Sequence, residues 1–245
     1  MSHSPTTSDP ALPWWPAERA PREEPGEPLT RARIVQAALD LIDEEGLDSL
    51  SMRRLGHRLN AGATTLYWYV SSKDQLLDLA VDEIFGELSL DHLPSTSWRA
   101  QIEAVAREFR RVILRHRNLA LVLSERVTMG PKALSALEWL LTLLVEQAGF
   151  DRKTAVMVYN AVVSFTAGWA ILETREPTGP LGEGLTQEEV GMAVLEMVGQ
   201  LPEDRFPNLI AASRDLMTVS EDDRFEFALQ RLLDGIEVDR ARSRT

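Results

Sequence analysis

The chain has 245 residues, 26 basic and 38 acidic side chains, and a formal net charge of −12. That balance excludes a uniformly basic coat for nucleic acid, although it leaves room for a local basic patch. The absence of cysteine excludes disulfides, thiolate metal sites and cysteine nucleophiles. No signal peptide is recognisable at the N-terminus, so we expect a soluble, cytoplasmic protein without a membrane anchor.

The first 28 residues predict a disordered arm. They contain seven of the 13 prolines, which prevents a helix or strand from propagating. Two arginines are outnumbered by five acids, which is the wrong sign for following a phosphate backbone. Trp14 and Trp15 are unusual in such a segment, and loose packing on the body is favoured over a dedicated contact.

From Thr30 onward, apolar residues recur three and four positions apart, which is the period of amphipathic helices. Thr30 and Gly46 delimit a first helix, and Ser51 caps a short second one. A glycine-containing turn and a third short helix follow, before Ser72 and Gln75 open a fourth helix as a capping box. Later helices are expected over 97–116, 118–127, 131–148, 151–175, 187–200, 205–217 and 221–239. With no strand of any length, the sequence predicts an all-α protein.

The stretch 155–172 is apolar nearly all around its helix. A membrane span is one interpretation, because 18 residues approach the length required. However, three polar residues interrupt it, and no second such segment accompanies it. We favour a helix buried on two sides, against its own core and against a second subunit, with Val162 and Phe165 in the buried surface.

Residues 51–73 (SMRRLGHRLNAGATTLYWYVSSK) are the most informative about function. Two short amphipathic helices flank a tight turn, with the first helix behind them. This is the plan of a helix-turn-helix, whose second helix enters the major groove. Thr64 and Thr65 can hydrogen-bond base edges and place a methyl group against thymine. The next three side chains offer donors for phosphates and apolar area for sugars: Tyr67, Trp68 and Tyr69.

Charge supports a nucleic-acid surface here. Residues 51–73 carry four basic side chains and no acid, within a chain of net charge −12. Arg53 can reach a base edge or a phosphate, and Lys73 lies beside the free N–H groups of the fourth helix. An alternative is that LYWYV forms an aromatic core cluster. Leu66 and Val70 suit that alternative, but three consecutive aromatic residues cannot share one helix face.

Catalysis finds little support in the sequence. The four histidines lack metal-ligand spacing, and no glycine-rich phosphate loop occurs. We therefore expect no catalytic residue, no metal site and no cofactor. A helical dimer that binds a small molecule without DNA remains the alternative function, and the acid-free face at 51–73 argues against it.

The run from Thr30 to about Leu88 resembles the DNA-binding domain of the tetracycline-repressor (TetR) family. The matching stretches are ARIVQAALDLIDEEGLDSLSMRRLGHRL and TTLYWYVSSKDQLL, with LYWYV and the following Lys73 the most specific part. A weaker resemblance to the regulatory domain of the tetracycline repressor itself continues through SWRAQIEAVAREF, LRHR and SFTAGW. It implies a helix-turn-helix domain at 29–73 and a ligand-binding and dimerisation domain at 74–245, connected by a helix over 74–90.

Carried over position by position, the family's base and phosphate contacts fall on eight residues: Arg53, Ala63, Thr64, Thr65, Tyr67, Trp68, Tyr69 and Lys73. Ala63 stands where the tetracycline repressor has a base-reading glutamine. Thr64 replaces a proline, and Tyr69 replaces a histidine. We expect docking on DNA to survive these changes and the operator sequence to differ.

The inducer site implied by the resemblance differs from that of the tetracycline repressor more than the DNA-contacting positions do. Leu123 occupies the position of the magnesium-binding histidine and cannot bind a metal. Arg126 and Val105 replace a threonine and a drug-binding asparagine, Phe109 matches an apolar contact, and the late glutamate is shifted to Glu173. We expect a cavity for an apolar or aromatic ligand, with Arg126 available to an anion, lined by Val105, Phe109, Leu123, Leu140 and Trp169. Ordinary helical core is the alternative for each of these residues.

The resemblance therefore implies a homodimeric repressor of double-stranded operator DNA. Its subunits would pair through helices near 151–175 and 205–239, with two reading helices about one DNA turn (~34 Å) apart. A small-molecule effector would change that separation, and release from the operator is the expected direction.

Overall fold

The computed structural model describes residues 28–90, 97–126, 129–175 and 184–242, and these residues form helices joined by turns, without a strand. The predicted all-α fold is confirmed. The predicted arm lies, except for Pro28, outside the described residues. The helices are α1 (Arg31–Glu45), α2 (Met52–Arg58), α3 (Ala63–Leu66), α4 (Lys73–Gly86), α5 (Trp98–Arg115), α6 (Ala120–Glu125), α7 (Pro131–Thr142), α8 (Arg152–Thr174), α9 (Gln187–Gly199), α10 (Pro207–Thr218) and α11 (Glu221–Arg242).

Both ends of α1 and the start of α2 lie where the sequence predicts them. The Thr30 side chain accepts a hydrogen bond from the backbone N–H of Arg33, and the Ser51 side chain accepts one from Arg54. Gly46 ends α1 with a φ of 84°, a conformation that costs glycine little because it has no Cβ. Local capping chemistry therefore sets these boundaries.

Three helices differ from the prediction. Helix α3 is a single turn, and Val70 lies beyond it, because the threonines and aromatic residues around it are weak helix formers. Helix α4 ends at Gly86 rather than near Leu90. The helix predicted over 131–148 continues past α7 as a π-helical segment, Leu143–Gln147.

The first four helices share a core. Its fully buried side chains come from α1, α2, α3 and α4: Ile34, Leu39, Ile42, Leu55, Leu66 and Leu76. Val112, Leu119 and Val122 of the following helices extend the same cluster. We call α1–α3 the head. Helix α4 contributes to the head core along most of its length, from Leu76 to Ile84.

Helix α4 also caps α7. The carboxylate of Asp82 accepts hydrogen bonds from the backbone N–H groups of Lys132 (3.3 Å) and Ala133 (2.9 Å). Burial raises the pKa of Asp82, although these hydrogen bonds act in the opposite direction. A Cβ at Gly130 would lie 2.2 Å from the Asp82 carboxyl carbon, so this close approach requires glycine. The cap binds the second half of α4 to the start of α7.

Helix α8 is, among the described residues, the helix that is long and apolar enough to cross a membrane. Its two faces differ, however. One face is buried in the subunit: Ala155, Val158, Val162, Thr166 and Ala170. The other is exposed: Met157, Asn160, Ser164, Gly168 and Leu172. A helix with one face in the core of its own subunit is explained without a bilayer.

The chain separates into two compact units, residues 1–171 and 172–245. In the second unit α9 packs against α10, and α11 buries Phe225, Leu229 and Leu233 completely. The two units are defined by contacts between residues and not by functional roles. The predicted boundary between functional domains at residue 73 therefore stays a prediction.

Candidate DNA-binding surface and ligand cavity

The turn between α2 and α3 brings these helices close together. The backbone N–H of Ala61 donates to the carbonyl of Gly56 over 2.8 Å, and Asn60 has a φ of 52°. A Cβ on Gly56 would lie 2.6 Å from the carbonyl oxygen of Ala61, so a larger residue would push the turn away. The glycine in α2 therefore sets the angle of the helix pair.

The buried side chains of Leu66 and Val70 orient the residues between them. Tyr67 is 50% exposed and Trp68 is 60% exposed, two large aromatic side chains side by side on the surface. Tyr69 instead packs half-buried against the head core, and its carbonyl accepts a hydrogen bond from Arg31 Nε at 3.1 Å. The aromatic run is thus divided between surface and core.

The remaining predicted DNA contacts occupy the same part of the head. Arg53, Thr64 and Lys73 are exposed, while Ala63 and Thr65 are half-buried. Lys73 is the first residue of α4, whose Ser72 cap accepts from the Gln75 N–H at 3.0 Å. The reciprocal half of the predicted capping box is wrong, because the Gln75 side chain accepts from the Ser71 N–H instead.

The electrostatics of this surface differ from the prediction. Arg54 forms an ion pair with Glu45, and Arg58 makes two 2.7 Å hydrogen bonds to Glu44. The Arg58 hydrogen bond lowers the pKa of Glu44. Residues 51–73 contain no acid in sequence, but the end of α1 supplies two in space. Two of the four basic side chains of the segment are therefore already paired within the head.

A cavity lies in the first unit between the end of α4 and helices α5, α7 and α8. It holds about 420 Å³ of atom-free space, including its opening to solvent. The described residues that line it are Phe85, Leu88, Leu90, Val105, Phe109, Ala133, Ala136, Leu137, Trp139, Leu140, Tyr159 and Val163. None of these side chains carries a charge, and most of them are apolar, as is typical of small-molecule sites.

The structure brings three of the six predicted ligand residues together at this cavity: Val105, Phe109 and Leu140. Leu123 lies elsewhere, half-buried against two neighbouring hydrophobic clusters. Trp169 packs against the Phe165 ring, with centroids 5.6 Å apart. Neither residue is among those that line this cavity, and their role in ligand binding stays a prediction.

Arg126 is placed differently from its predicted role as an anion partner. Its guanidinium lies 2.5 Å from Asp78 and 2.8 Å from Asp74, and it also donates to the Asp74 carbonyl. Both carboxylates belong to the first half of α4. Arg126 is thus committed to joining the end of α6 to α4, and it does not line the cavity.

Sequence reasoning missed the aromatic and polar part of the cavity wall. The rings of Phe85 and Phe109 pack against each other with centroids 5.6 Å apart. Trp139 and Tyr159 are the lining residues whose side chains contain polar atoms. Burial raises the pKa of Tyr159. A usable signal existed in the spacing of Tyr159 and Val163, which lie four apart and so share one helix face. Among the described residues, no group of three or more His, Cys, Asp or Glu side chains is arranged to hold a metal ion.

A helix-turn-helix with exposed aromatic residues, joined through α4 to a helical body with an apolar cavity, is the architecture of a DNA-binding regulator. Residues 34–80 match the family model for bacterial regulatory proteins of the tetR family. Residues 92–240 match the model for the tetracyclin repressor-like C-terminal domain. The chain belongs to the TetR family of transcriptional regulators.

Curated relatives agree with this assignment. An HTH-type transcriptional regulator of Saccharopolyspora erythraea is 38% identical over 202 residues, covering 80% of this chain and 84% of the relative. The HTH-type transcriptional repressor DrrR1 of Streptomyces coeruleorubidus is 36% identical over 228 residues, covering 91% and 83%. The crystal structure of ActR from Streptomyces coelicolor in complex with actinorhodin superposes with a TM-score of 0.76 at 30% identity, covering 87% of this chain and 99% of ActR.

Proposed function

We propose that this protein is a cytoplasmic, homodimeric repressor that an apolar or aromatic small molecule releases from its operator. The observation that carries the DNA-binding part is the exposure of Tyr67 and Trp68 directly after α3. These two large aromatic side chains are exposed in the same short segment as the exposed Thr64 and Lys73. A DNA backbone accounts for aromatic, hydroxyl and ammonium groups on one surface.

The cavity supports the effector part of the proposal. Its walls are hydrocarbon apart from Trp139 and Tyr159, so apolar contact supplies most of the affinity. Burying ~300 Å² of apolar ligand surface contributes up to about 7 kcal/mol before entropy costs, compared with the about 8 kcal/mol that corresponds to micromolar binding. Two relatives point the same way, since one is described as a repressor and another was crystallised with actinorhodin.

Helix α4 offers the mechanical link between ligand and DNA. Phe85 near its C-terminus lines the cavity and packs against the head core, and Leu76 and Ile84 of the same helix are part of that core. A ligand that displaces Phe85 therefore moves the element that carries Lys73. Because both heads of a dimer must reach their half-sites together, a small pivot weakens DNA binding by a coupling of about 1–3 kcal/mol.

The exposed face of α8 supports pairing of two subunits. Met157 and Leu172 are 54% and 61% exposed, and small residues lie between them on the same face. A Cβ at Gly168 would meet nothing within 4 Å, so a second helix can approach closely there. Helix α11 presents Phe227, 68% exposed, as a further apolar side chain suited to an interface.

The proposal is tested with DNA from upstream of the protein's own gene. Fluorescence anisotropy should show saturable binding at nanomolar concentration to a fragment in that region and much weaker binding to a scrambled fragment. Light scattering at micromolar concentration should give the mass of two chains. A clean monomer, or equal affinity for both fragments, would contradict the proposed repressor.

The effector part is tested on the same complex. Uncharged polycyclic aromatic compounds should lower the anisotropy of the complex, whereas aliphatic acids of similar mass should not. A variant with a filled cavity, Ala136→Phe, is the matched control. It should keep operator affinity and lose the response to the aromatic compounds. An equal response in that variant would place the effector site elsewhere.

A further inference from the structure

The cavity has little polar chemistry to offer a ligand. Of the described residues that line it, ten have hydrocarbon side chains, and the other two are Trp139 and Tyr159. The indole N–H of Trp139 is a donor only, while the Tyr159 hydroxyl both donates and accepts. Specific recognition of a polar group in this cavity therefore falls to one of these two side chains.

The absence of charge among these lining residues restricts the ligand as well. A charged group brought into the cavity would lose its hydration without gaining a counter-ion. Arg126, the anion partner expected from the sequence, is held by Asp74 and Asp78 and lies outside the lining. A ligand that enters fully is therefore uncharged at neutral pH.

The hydroxyl of Tyr159 is available for this role. The described part of the chain supplies it with no hydrogen-bond partner, and burial is the cause that raises its pKa. The raised pKa keeps the phenol protonated at neutral pH, as a donor requires. Tyr159 lies one helical turn before Val163, so both contribute to the wall that α8 forms.

We propose that Tyr159 is the specificity-determining residue of this cavity, and that its hydroxyl donates a hydrogen bond to the carbonyl oxygen of an uncharged ligand. The inference rests on the proposed function, which makes the cavity the effector site. It adds the polar contact and the chemical class of the ligand. Apolar contact supplies the bulk of the affinity, and Tyr159 discriminates among ligands of equal shape.

A matched set of tricyclic probes tests the proposal: fluorene, 9-fluorenone and 9-fluorenone-2-carboxylate. The first two have nearly the same shape and differ by a single carbonyl acceptor, and the third adds a charge. Equilibrium dialysis of the full-length protein gives a dissociation constant for each probe. The quantity of interest is the preference for fluorenone over fluorene, compared between the wild type, Tyr159→Phe and Trp139→Phe.

The wild type should prefer fluorenone, and Tyr159→Phe should reduce that preference by roughly 3- to 10-fold, the effect of one neutral hydrogen bond. Fluorene itself should bind Tyr159→Phe at least as tightly, because removal of the hydroxyl leaves no unpaired donor. Trp139→Phe should keep the preference. The carboxylate should bind the wild type at least tenfold more weakly than fluorenone.

Three results would overturn the proposal: an unchanged preference in Tyr159→Phe, a loss of preference in Trp139→Phe instead, or a carboxylate that binds as tightly as fluorenone. Failure of every probe to bind the wild type would overturn it too. DNA binding is measured separately by anisotropy on the upstream fragment. Any of these overturning results with DNA binding intact therefore rejects this inference alone, whereas absent DNA binding rejects the proposed repressor.

Discussion

The Nδ1 atom of His116 lies 2.7 Å from Oδ2 of Asp43, and this contact joins α5 to the head. The other ring nitrogen, Nε2, lies 2.8 Å from Oε1 of Glu87 just beyond α4. Arg115 binds the second oxygen of Glu87 at 2.7 Å, and the Asn118 side chain donates to the Ile42 carbonyl of α1 at 2.8 Å. Only the protonated imidazolium can donate to both carboxylates at once.

His116 makes the stability of this junction depend on pH. Burial by itself would lower the pKa of His116, but the hydrogen bonds to Asp43 and Glu87 outweigh it and raise the pKa. A histidine whose folded pKa lies above its unfolded value of about 6.5 contributes stability that is complete below that pH. The contribution is lost as the pH rises through the folded pKa.

We therefore expect wild type to exceed His116→Gln in unfolding free energy at pH 6, and the difference to shrink toward pH 9. Urea unfolding at several pH values measures it. His57→Gln, an exposed site on α2, is the matched control and should show no such trend. A difference between wild type and His116→Gln that is constant across this range would show that the imidazolium is not what stabilises the junction.

Lys73 is expected to contact a phosphate. Lys73→Ala should weaken binding to all sequences and reduce the slope of log affinity against log salt by about one. Lys153→Ala, an exposed lysine in the first turn of α8, should leave both quantities unchanged. Anisotropy titrations between 50 and 200 mM salt provide the comparison. Unchanged affinity in Lys73→Ala at low salt would contradict the mode of DNA binding that the family resemblance implies.

Thr64 and Thr65 are expected to read bases rather than phosphates. Thr65→Ala should change which base is preferred at one operator position, with a cost of about 1–3 kcal/mol for the original base and little change in the salt slope. Selection from a randomised operator library measures this preference. A uniform loss of affinity across the library would show that Thr65 stabilises the packing of α3 and does not read a base.

The ion pairs between α1 and α2 should limit DNA affinity. Replacing Glu44 and Glu45 with glutamine frees Arg58 and Arg54, so affinity for any sequence should rise by roughly threefold or more, with a steeper salt dependence. Folding should change little because these pairs are exposed. Glu138→Gln on α7 is the control. Unchanged affinity in the double variant would mean that neither arginine approaches the DNA.

The dimer is best tested on the exposed face of α8. The sequence predicts Val162 and Phe165 in the buried surface of this helix, and Val162 is only 3% exposed within the single subunit. Val162→Arg would therefore disrupt folding whatever the assembly. Met157→Arg and Leu172→Arg should instead give folded monomers with weakened operator binding, seen by light scattering and circular dichroism. A dimer that persists in both variants would move the interface away from this face.

Magnesium should have no influence on release. By the resemblance, Leu123 stands at the position of the metal-binding histidine of tetracycline repressors; it packs against hydrophobic clusters and is not among the residues that line the cavity. Tetracycline titrated against the protein–operator complex should therefore act equally with and without magnesium. Magnesium-dependent release would show that the effector site lies outside this cavity.

The sequence by itself determined the elements of this protein. Thr30, Ser51 and Gly46 act on their own helix ends, and the period of apolar residues decides which face is buried. These are interactions over one to four residues, so they can be read without knowing the fold. The helix-turn-helix was recognisable for the same reason, since its two helices and turn occupy one short continuous segment.

Tertiary structure alone decided which distant side chains meet. Arg58 contacts Glu44 across 14 residues of sequence, Arg126 contacts Asp78 across 48 residues, and His116 contacts Asp43 across 73 residues. The cavity likewise joins α4, α5, α7 and α8, so Tyr159 was missed while Leu123 and Arg126 were chosen from their positions along the chain. Helical periodicity tells which residues face inward, but only the packing of helices against one another decides whether an inward position meets core, counter-ion or cavity.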